Sequence, residues 1–427
     1  MTNQVQAIEL TDQQKLAVEM VKYNKVSILT GGPGTGKTTA IKEVLAWSEK
    51  SKLKTIQCAP TGKAAKRMEE ATGFPSATIH RTLAAQVENG EFVFGYNEMC
   101  PVPCDFMIID EASMINNALM ADLLRAIDTD RTRILIVGDQ GQLPSVGAGA
   151  ILRDMLLAGV PHIELTKIHR NSGEIVKACH AIAKGQVYEP SEILDPESGA
   201  NLRHIEIDTP ERIHEVIRKI VSERMPTRGF DPVWDVQVIS PINSRTILSC
   251  DGLNEMLQDE LNPLNTGQPK DNSFLFRKKD KIINIKNQGI EDIDKVPTYI
   301  VNGDMGEVVD IDIGEKGKKM EVKFLDPERR VGLSKKKNDL LLAYACTCHR
   351  LQGSEAPVII IPVHKTLSWF CNRNWIYTAI SRAKVICITV GQFRAIEIAI
   401  NRKESMERKT MLREKLLKAK KENANEK

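Results

Sequence analysis

The stretch KVSILTGGPGTGKTTAIKEVLAWSEK (residues 25–50) decides the fold class of this chain. An apolar run ends in a glycine-rich turn, and a helix-like segment follows the turn at once. The turn fits the pattern G-x-x-x-x-G-K-[ST], with Gly31, Gly36, Lys37 and Thr38 at the defining positions. A glycine-rich turn without a ligand is the alternative, but the order strand, turn, helix is the context that a phosphate-binding loop requires. The stretch therefore predicts a nucleotide site at the end of a buried strand.

The residues of this turn match the needs of phosphate chemistry. Glycines let backbone N–H groups wrap the phosphates, Lys37 reaches the β and γ oxygens, and the Thr38 hydroxyl ligates Mg²⁺. We therefore predict ATP and Mg²⁺ as cofactors. The predicted nucleotide-binding residues of the turn are Gly31, Gly32, Pro33, Gly34, Thr35, Gly36, Lys37, Thr38 and Thr39.

A second apolar run, FMIIDEAS (106–113), ends in two carboxylates. Asp110 is predicted to hold Mg²⁺, and Glu111 is placed to orient or deprotonate an attacking water. An Asp-Glu pair at a strand end is often only the start of a helix, but beside the glycine-rich turn it indicates a nucleoside triphosphate hydrolase. Hydrolysis also needs positive charge at the transition state, and Arg170 and Arg382 are the candidates. A surface ion pair is the usual role of any single arginine.

Short apolar runs alternate with helix-like segments in the first half of the chain, which predicts a parallel sheet with crossover helices. Runs such as VQVISP and PVIIIPVH repeat this character later, and 427 residues exceed a single core, so two or more domains are expected. Between these runs, DKIINIKN, GEVVDIDI and KKMEVKFLD predict a small antiparallel barrel inserted into the second domain. After Gln392 the chain is charged and helix-prone, which favours a solvated, fraying helix over a nucleic-acid arm.

Composition bounds the remaining possibilities. The net charge of +3 neither demands nor excludes nucleic acid, because acidic surface can offset a basic groove. The first residues have no signal pattern and no apolar run approaches the roughly 20 residues of a membrane span, so we expect a cytoplasmic protein without a membrane partner. The nine cysteines lack the paired spacing of zinc fingers, which favours reduced and packed thiols.

The order of these motifs resembles the superfamily 1 DNA helicases, and within them the RecD/Dda-type class that moves 5′ to 3′ on single strands. The resemblance runs from Leu10 to about Lys384 and includes at least seven ordered blocks, among them LTDQQ, APTGKAAKRM, TIHRTL, VGDQGQLPSVGAG and YTAISRAK. It implies an α/β fold of two RecA-like parallel-sheet motor domains. The implied segments are motor domains at 1–171 and 172–400, a hairpin insert at about 84–104, an SH3-like barrel insert at about 275–342, and a charged helical or disordered tail at 401–427.

The resemblance also implies roles for single residues. Gln14 would read adenine, and Gln142 would sense the γ-phosphate. Arg170 and Arg382 would be the two arginine fingers. The implied DNA contacts are Thr61, Lys63, Thr78, His80, Asn243, Thr347 and His349.

The stretch YACTCHRLQGSE (344–355) looks at first like part of a metal site, because two cysteines and a histidine stand close together. The resemblance instead makes it the coupling block of the second motor domain. The Gly353 backbone and the Glu355 carboxylate would approach the nucleotide. Cys346 and Cys348 occupy positions where the family has aliphatic residues, so their side chains are expected to point into the core.

The pair Asn89-Gly90, followed by the alternating EFVF, signals a two-residue hairpin turn. In the resembling class a hairpin here is the pin that splits the duplex. Phe92 or Phe94 is therefore predicted to lie on or near the pin and to stack on a base pair. The alternative, in which both phenylalanines anchor the hairpin to its own domain, is equally open.

Together, these features predict a monomeric ATP-dependent DNA helicase. Its expected substrates are single-stranded DNA and duplex–single-strand junctions, and single-strand-binding, replication or recombination proteins are further candidate partners. Two alternatives stay open: a single-strand translocase that displaces proteins and unwinds weakly, and a nucleotide-gated DNA-binding or loading subunit. The 5′ to 3′ polarity follows from the resemblance alone.

Overall fold

The computed structural model of the protein divides into two compact units. Unit 1 comprises Met1–Gln86, Val93–Arg170 and Glu407–Lys427, and unit 2 comprises Val87–Phe92 and Asn171–Met406. Within the ranges that the structure describes, no helix has both the length and the apolar character needed to cross a membrane. The structure describes residues 10–88, 91–168, 173–264, 276–312, 319–325, 327–334, 339–402 and 408–425.

A parallel sheet forms the centre of unit 1. The strands of the first half of the chain are β1 (Val26–Gly31), β2 (Thr55–Ala59), β3 (Ser76–Thr78), β4 (Ala85–Glu88), β5 (Glu91–Phe94), β6 (Phe106–Ile109), β7 (Arg133–Gly138) and β8 (His162–Leu165). Six of these described strands pair in parallel in the order β3-β2-β6-β7-β1-β8. Strands β4 and β5 pair only with each other among the described strands.

Helices cover both faces of this sheet, as a parallel sheet requires. On β6, Phe106 and Ile108 belong to one buried cluster, while Met107 and Ile109 belong to another. Alternate residues of a strand point to opposite faces, so the two clusters are the two covered faces. The helices of this half are α1 (Asp12–Tyr23), α2 (Lys37–Lys50), α3 (Gly62–Thr72), α4 (Ile79–Thr82), α5 (Asn117–Arg125) and α6 (Ile151–Leu157).

Unit 2 contains a second parallel sheet. The strands of the second half are β9 (Leu202–Glu206), β10 (Val236–Ile239), β11 (Lys281–Asn284), β12 (Gln288–Glu291), β13 (Pro297–Ile300), β14 (Met305–Asp312), β15 (Lys319–Leu325), β16 (Glu328–Ser334), β17 (Leu340–Leu342), β18 (Ala345–Cys346), β19 (Ala356–Val363) and β20 (Ala383–Gly391). The parallel sheet has the order β18-β10-β19-β20-β9. Its helices are α7 (Glu174–Ala183), α8 (Pro210–Lys219), α9 (Cys250–Leu261), α10 (Arg373–Ser381) and α11 (Phe393–Asn401). The predicted α/β class with parallel sheets is thus confirmed.

An antiparallel sheet lies within unit 2. Its order is β16-β15-β14-β11-β17, and β12 pairs with β13 in a separate ribbon. This sheet has its own buried cluster, which includes Val308, Val322, Phe324 and Val331. It therefore folds around a core of its own.

Asp280 joins the antiparallel sheet to the rest of unit 2. The carboxylate is fully buried. It accepts hydrogen bonds from the Arg277 backbone N–H at 2.6 Å, from Asn262 Nδ2 at 2.7 Å, from the Tyr344 hydroxyl at 3.0 Å and from Gln258 Nε2. Burial raises the pKa of Asp280 above its ordinary value. Four donors on one buried carboxylate fix the entry and the exit of the antiparallel sheet.

The final helix, α12 (Leu412–Asn425), packs on α6 of unit 1. Leu412 contacts the buried cluster on one face of the first sheet. Just before the helix, Arg408 donates to backbone carbonyls of the segment between β7 and α6. The sequence predicted a helix here but gave no signal for these contacts, because the partners are about 260 residues away.

Candidate functional site

The phosphate loop joins the end of β1 to the start of α2. Gly34 and Gly36 have φ values of 71° and 83°, which glycine adopts without strain. A Cβ at Gly31 would lie 2.7 Å from the Leu165 carbonyl oxygen, so that position needs glycine for space. Left-handed residues in such a loop are typical of backbone sites for anions.

The Lys37 ammonium is folded over this loop. Its Nζ donates to the carbonyl oxygens of Gly31 at 2.6 Å and Gly32 at 3.1 Å. The Thr35 hydroxyl also donates to Gly32, at 2.8 Å, and so fixes the turn. Thr38 follows in the first turn of α2, where it is exposed and its hydroxyl is accessible. The residues are therefore placed to receive a phosphate chain and a cation.

Gln14 holds the loop from the side of α1. Its Nε2 donates to the Gly36 carbonyl at 3.1 Å, and its Oε1 accepts from the Thr11 N–H at 2.9 Å. The side chain is almost fully buried. The structure thus gives Gln14 a structural role at the loop, beside the adenine contact that the resemblance implies.

Two carboxylates follow β6. Burial, and then the neighbouring charge of Glu111, raise the pKa of Asp110 to about 6, although the charges of Arg67 and Lys37 act in the opposite direction. A half-buried carboxylate whose pKa is raised in this way gains from a bound cation. Its oxygens and the Thr38 hydroxyl are the hard ligands that Mg²⁺ prefers. These residues therefore fit a Mg²⁺–nucleotide.

Arg67 holds Glu111 in place. Its Nη2 donates to Glu111 Oε1 at 2.6 Å. Glu111 is only 5% exposed, and its backbone has the left-handed conformation, with a φ of 52°. Arg67 lies on α3 four residues after Lys63, and residues at this spacing share a helix face. Sequence reasoning missed Arg67, although its spacing from Lys63 within APTGKAAKRM was a visible signal.

Gln142 lies in the segment that follows β7. Its Nε2 donates to Asp139 Oδ2 at 3.4 Å, and the Gly141 N–H donates to Asp139 Oδ1 at 2.9 Å. Asp139 is 5% exposed. The sequence did not single out Asp139, which orders the start of this segment.

The strand order places these groups along one sheet edge. The carboxyl ends of parallel strands meet at the same edge. Thr61 follows β2, Asp110 follows β6, Gln142 follows β7, and the phosphate loop follows β1. At the usual spacing of about 4.8 Å between strands, the end of β2 lies about 14 Å from the end of β1. The Arg67–Glu111 ion pair spans part of this distance.

The predicted DNA contacts of unit 1 lie at the β2 and β3 end of this edge. The hydroxyls of Thr61 and Thr78 accept from backbone N–H groups at 3.2 Å and 3.1 Å, and so cap α3 and α4. Each hydroxyl keeps its proton to donate. Lys63 and His80 are partly exposed beside them. Burial lowers the pKa of His80, with Asp122 acting against it.

The two phenylalanines of β5 stand two residues apart, which puts them on one face of the strand. Phe94 packs against the unit 1 core, and its ring centroid lies 6.2 Å from that of His80. This contact fits the alternative in which Phe94 anchors the hairpin to its own domain. Phe92 is partly exposed, and Val93 between them is 47% exposed. The turn at 89–90 lies outside the described residues.

In unit 2 the predicted site residues fall at two opposite edges of the parallel sheet. Asn243 follows β10, and Thr347 and His349 follow the neighbouring β18. Asn243 and His349 are exposed, whereas Thr347 is 7% exposed. Glu355 precedes β19, and Arg382 precedes β20, so these two lie at the amino ends of their strands.

Arg382 and the segment at Gly353–Glu355 are in contact. Arg382 is 2% exposed, and it donates to the carbonyls of Ser354 and Thr378, each at 3.4 Å. Gly353 has a φ of 72°. Glu355 pairs with Lys384 at 3.9 Å. Arg170, the other predicted arginine finger, lies outside the described residues.

Cys346 and Cys348 are fully buried, as predicted. Their sulfur atoms lie 3.9 Å from the carbonyls of Ala343 and Trp375. Burial raises the pKa of the Cys348 thiol above its ordinary value. Both thiols pack as small core groups.

Comparisons with known proteins agree with this geometry. Residues 9–199 match the family model of an AAA domain, and residues 342–388 match that of the UvrD-like helicase C-terminal domain. The chain is 32% identical over 412 residues to the ATP-dependent RecD2 DNA helicase of Deinococcus radiodurans. The match covers 95% of this chain and 52% of that protein. It is 28% identical over 439 residues to the RecBCD enzyme subunit RecD of Mycolicibacterium smegmatis, and that match covers 95% of this chain and 75% of the relative.

A solved structure extends the comparison to the fold. The Pif1 helicase from Bacteroides, in complex with ADP-AlF3 and ssDNA, matches with a TM-score of 0.54 at 19% identity, covering 98% of this chain and 99% of that chain. Two α/β units, with a phosphate loop and paired carboxylates at one sheet edge, define a P-loop nucleotide-binding protein. Within that class the chain is similar in sequence to the RecD2 and RecD helicase proteins, and its fold is similar to that of the Bacteroides Pif1 helicase. It spans about half the length of the Deinococcus relative.

Proposed function

We propose that the chain is an ATP-dependent DNA helicase that translocates on single-stranded DNA from 5′ to 3′ and unwinds duplex DNA. The observation that carries this proposal is the edge of the first sheet, where nucleotide residues and DNA-block residues lie a few strands apart and Arg67 contacts Glu111. The Deinococcus relative is named an ATP-dependent DNA helicase, and the Bacteroides structure holds ssDNA and a nucleotide analogue.

ATP binding rests on the phosphate loop of unit 1. Lys37 and the loop glycines would hold the β and γ phosphates, and Thr38 and Asp110 would hold Mg²⁺. When bound, Mg²⁺ supplies positive charge to the phosphate oxygens. Glu111 would orient the attacking water. The Arg67 guanidinium pairs with the Glu111 carboxylate at 2.6 Å and fixes its rotamer.

The remaining nucleotide residues are assigned as the family order suggests. Gln142 would contact the γ-phosphate, and Gln14 would contact adenine. Arg382 and Arg170 would supply positive charge to the transition state. The Gly353 backbone and Glu355 complete the set, because they lie beside Arg382.

We assign 1–171 and 172–400 as RecA-like motor domains, because each contains a parallel sheet with crossover helices. The antiparallel strands at about 275–342 form the SH3-like insert of the second domain, with their own core. The β4–β5 ribbon at about 84–104 is the pin. Phe92 is the better candidate for stacking on a base pair, since Phe94 packs against the unit 1 core.

The DNA path follows the predicted contacts. Its substrates are single-stranded DNA and duplex–single-strand junctions, and the active form is a monomer. In unit 2, the exposed Asn243 and His349 are better placed than the buried Thr347 to meet a phosphate. The contacts in unit 1 are Thr61, Lys63, Thr78 and His80.

Steady-state ATP hydrolysis with and without single-stranded DNA tests this function. The proposal predicts Mg²⁺-dependent hydrolysis that rises when single-stranded DNA is added. A blunt duplex of the same length serves as the matched control and should stimulate less. Hydrolysis that no DNA changes would contradict the motor function.

A further inference from the structure

The segment after β7 is bound by an arginine from the far end of the chain. Arg408 Nη1 donates to the carbonyl oxygens of Gly147 at 2.7 Å and Gly149 at 2.9 Å. Its Nη2 donates to the Ser145 carbonyl at 2.7 Å, and Nη1 lies 3.3 Å from the Ser145 hydroxyl. One guanidinium therefore binds three carbonyls at alternate positions of a single loop. Only the planar fork of arginine offers donors in this arrangement.

Arg408 is itself fixed from behind. Its backbone carbonyl accepts from Arg153 Nη2 at 2.8 Å. The Thr410 hydroxyl bonds to the buried Asp154 carboxylate. Further along, Lys420 Nζ donates to the Gly159 carbonyl at 3.3 Å, while α12 packs on α6. Several contacts therefore hold the segment that carries Arg408 against unit 1.

The loop depends on such contacts for its shape. Gly147 and Gly149 have φ values of 105° and 122°, and a Cβ at Gly149 would lie 2.2 Å from Asn117 Oδ1. On that side the Asn117 N–H donates to the Ala148 carbonyl at 2.9 Å. The loop is therefore held between the start of α5 and Arg408. Gln142 stands only three residues before Ser145, where Arg408 binds.

We propose that Arg408 is a positioning residue for nucleotide hydrolysis: it fixes the loop at Ser145–Gly149 so that Gln142 is presented to the γ-phosphate. This rests on the proposed function of Gln142. Without Arg408, the three carbonyls turn to water and the loop gains alternative conformations. A displacement of about 1 Å in a group that contacts the reacting phosphate can reduce the rate by up to about 100-fold. Substrate binding, which depends on the phosphate loop, should change much less.

The test compares Arg408→Ala with Arg408→Lys and two matched controls. Arg402 makes the same kind of contact in unit 2, where Nη1 donates to the carbonyls of Ser368 and Trp369 at 2.7 Å and 3.0 Å. Arg402→Ala therefore removes similar bonds away from the loop. Arg413→Ala removes an exposed arginine from α12. For each variant of the whole chain, kcat and KM for ATP are measured with and without single-stranded DNA. The temperature is kept below the midpoint of that variant's thermal unfolding.

Arg408→Ala is expected to lower the DNA-stimulated kcat by about tenfold, with KM for ATP changed by less than about threefold. The kcat of Arg408→Lys should lie between those of the wild type and Arg408→Ala, because a single ammonium cannot bind all three carbonyls at once. Both controls should keep a kcat close to that of the wild type. If Arg408→Ala keeps its kcat, or if Arg402→Ala loses as much, the positioning role is overturned. A wild type without DNA stimulation would instead contradict the proposed function itself.

Discussion

Glu111 illustrates how single residues couple the two halves of the first sheet edge. It stands two residues after the end of β6, and its partner Arg67 comes from α3, which begins with the predicted DNA contacts Thr61 and Lys63. A contact that moves α3 must therefore also move the guanidinium that holds Glu111. In the proposed function, this gives a physical route from bound DNA to the carboxylate that would orient the attacking water.

Arg67→Ala is expected to lower the DNA-stimulated kcat by about tenfold or more, because Glu111 loses the group that fixes its rotamer. Arg67→Lys should recover part of the rate, since it restores the charge but not the fork. Steady-state kinetics measure both, with Glu70→Ala, exposed on the same helix, as the control. Unchanged kcat in Arg67→Ala would remove this residue from the mechanism.

Lys37→Ala should abolish ATP hydrolysis and leave the protein folded. The lysine contacts loop carbonyls but is not part of the buried core, so its loss removes phosphate binding with little effect on stability. Hydrolysis assays and circular dichroism report the two effects separately. Lys42→Ala, exposed on the same helix, should behave as the wild type does. Near-normal turnover in Lys37→Ala would mean that the phosphate site lies elsewhere.

His80 should make unit 1 less stable at mildly acidic pH. Burial lowers its folded-state pKa, so the unfolded chain binds the proton more tightly. Its contribution is then fully present above the unfolded value of about 6.5 and is lost as pH falls below it. Urea unfolding at about pH 7.5 and pH 5.5 should show a smaller loss for His80→Gln than for the wild type. Exposed His162→Gln is the control. If His80→Gln and His162→Gln lose equal unfolding free energy between the two pH values, His80 does not cause the acid sensitivity.

At the scale of elements, the junction between the two sheets of unit 2 depends on Asp280. Asp280→Ala leaves several buried donors without an acceptor, at a cost of about 1–3 kcal/mol for each donor that stays unsatisfied. Tyr344→Phe removes one of those donors and should cost about 1 kcal/mol. Exposed Asp310→Ala should stay within about 0.5 kcal/mol of the wild type. Denaturant unfolding measures all three, and a similar loss in Asp280→Ala and Tyr344→Phe would contradict the shared-acceptor account.

Elements whose signals are local were predictable from the sequence. The phosphate loop was found from its glycines and the strand before it, and the parallel sheets from repeated apolar runs. Arg67 and Arg408 were not found, because their partners are fixed by packing: Glu111 is 44 residues from Arg67, and Gly147 is 261 from Arg408. The division of the unit 2 residues between two sheet edges also needed the strand order, since His349 and Glu355 stand in one short stretch of sequence.

At the scale of the whole molecule, the chain pairs two parallel sheets with an antiparallel one, and returns to unit 1 with its last helix. Among the residues that the structure describes, only unit 1 carries a phosphate loop, between β1 and α2. A nucleotide site of this kind is expected of a motor in which binding and hydrolysis alternate between two conformations. The proposed function requires directional movement on DNA.

Directional movement is tested by the unwinding of duplexes that carry only a 5′ or only a 3′ single-stranded tail. With ATP and Mg²⁺, we expect separation of the strands of the 5′-tailed duplex and little separation of the 3′-tailed one, with Lys37→Ala inactive on both. Unwinding confined to the 3′-tailed duplex, or none on either, would contradict this expectation.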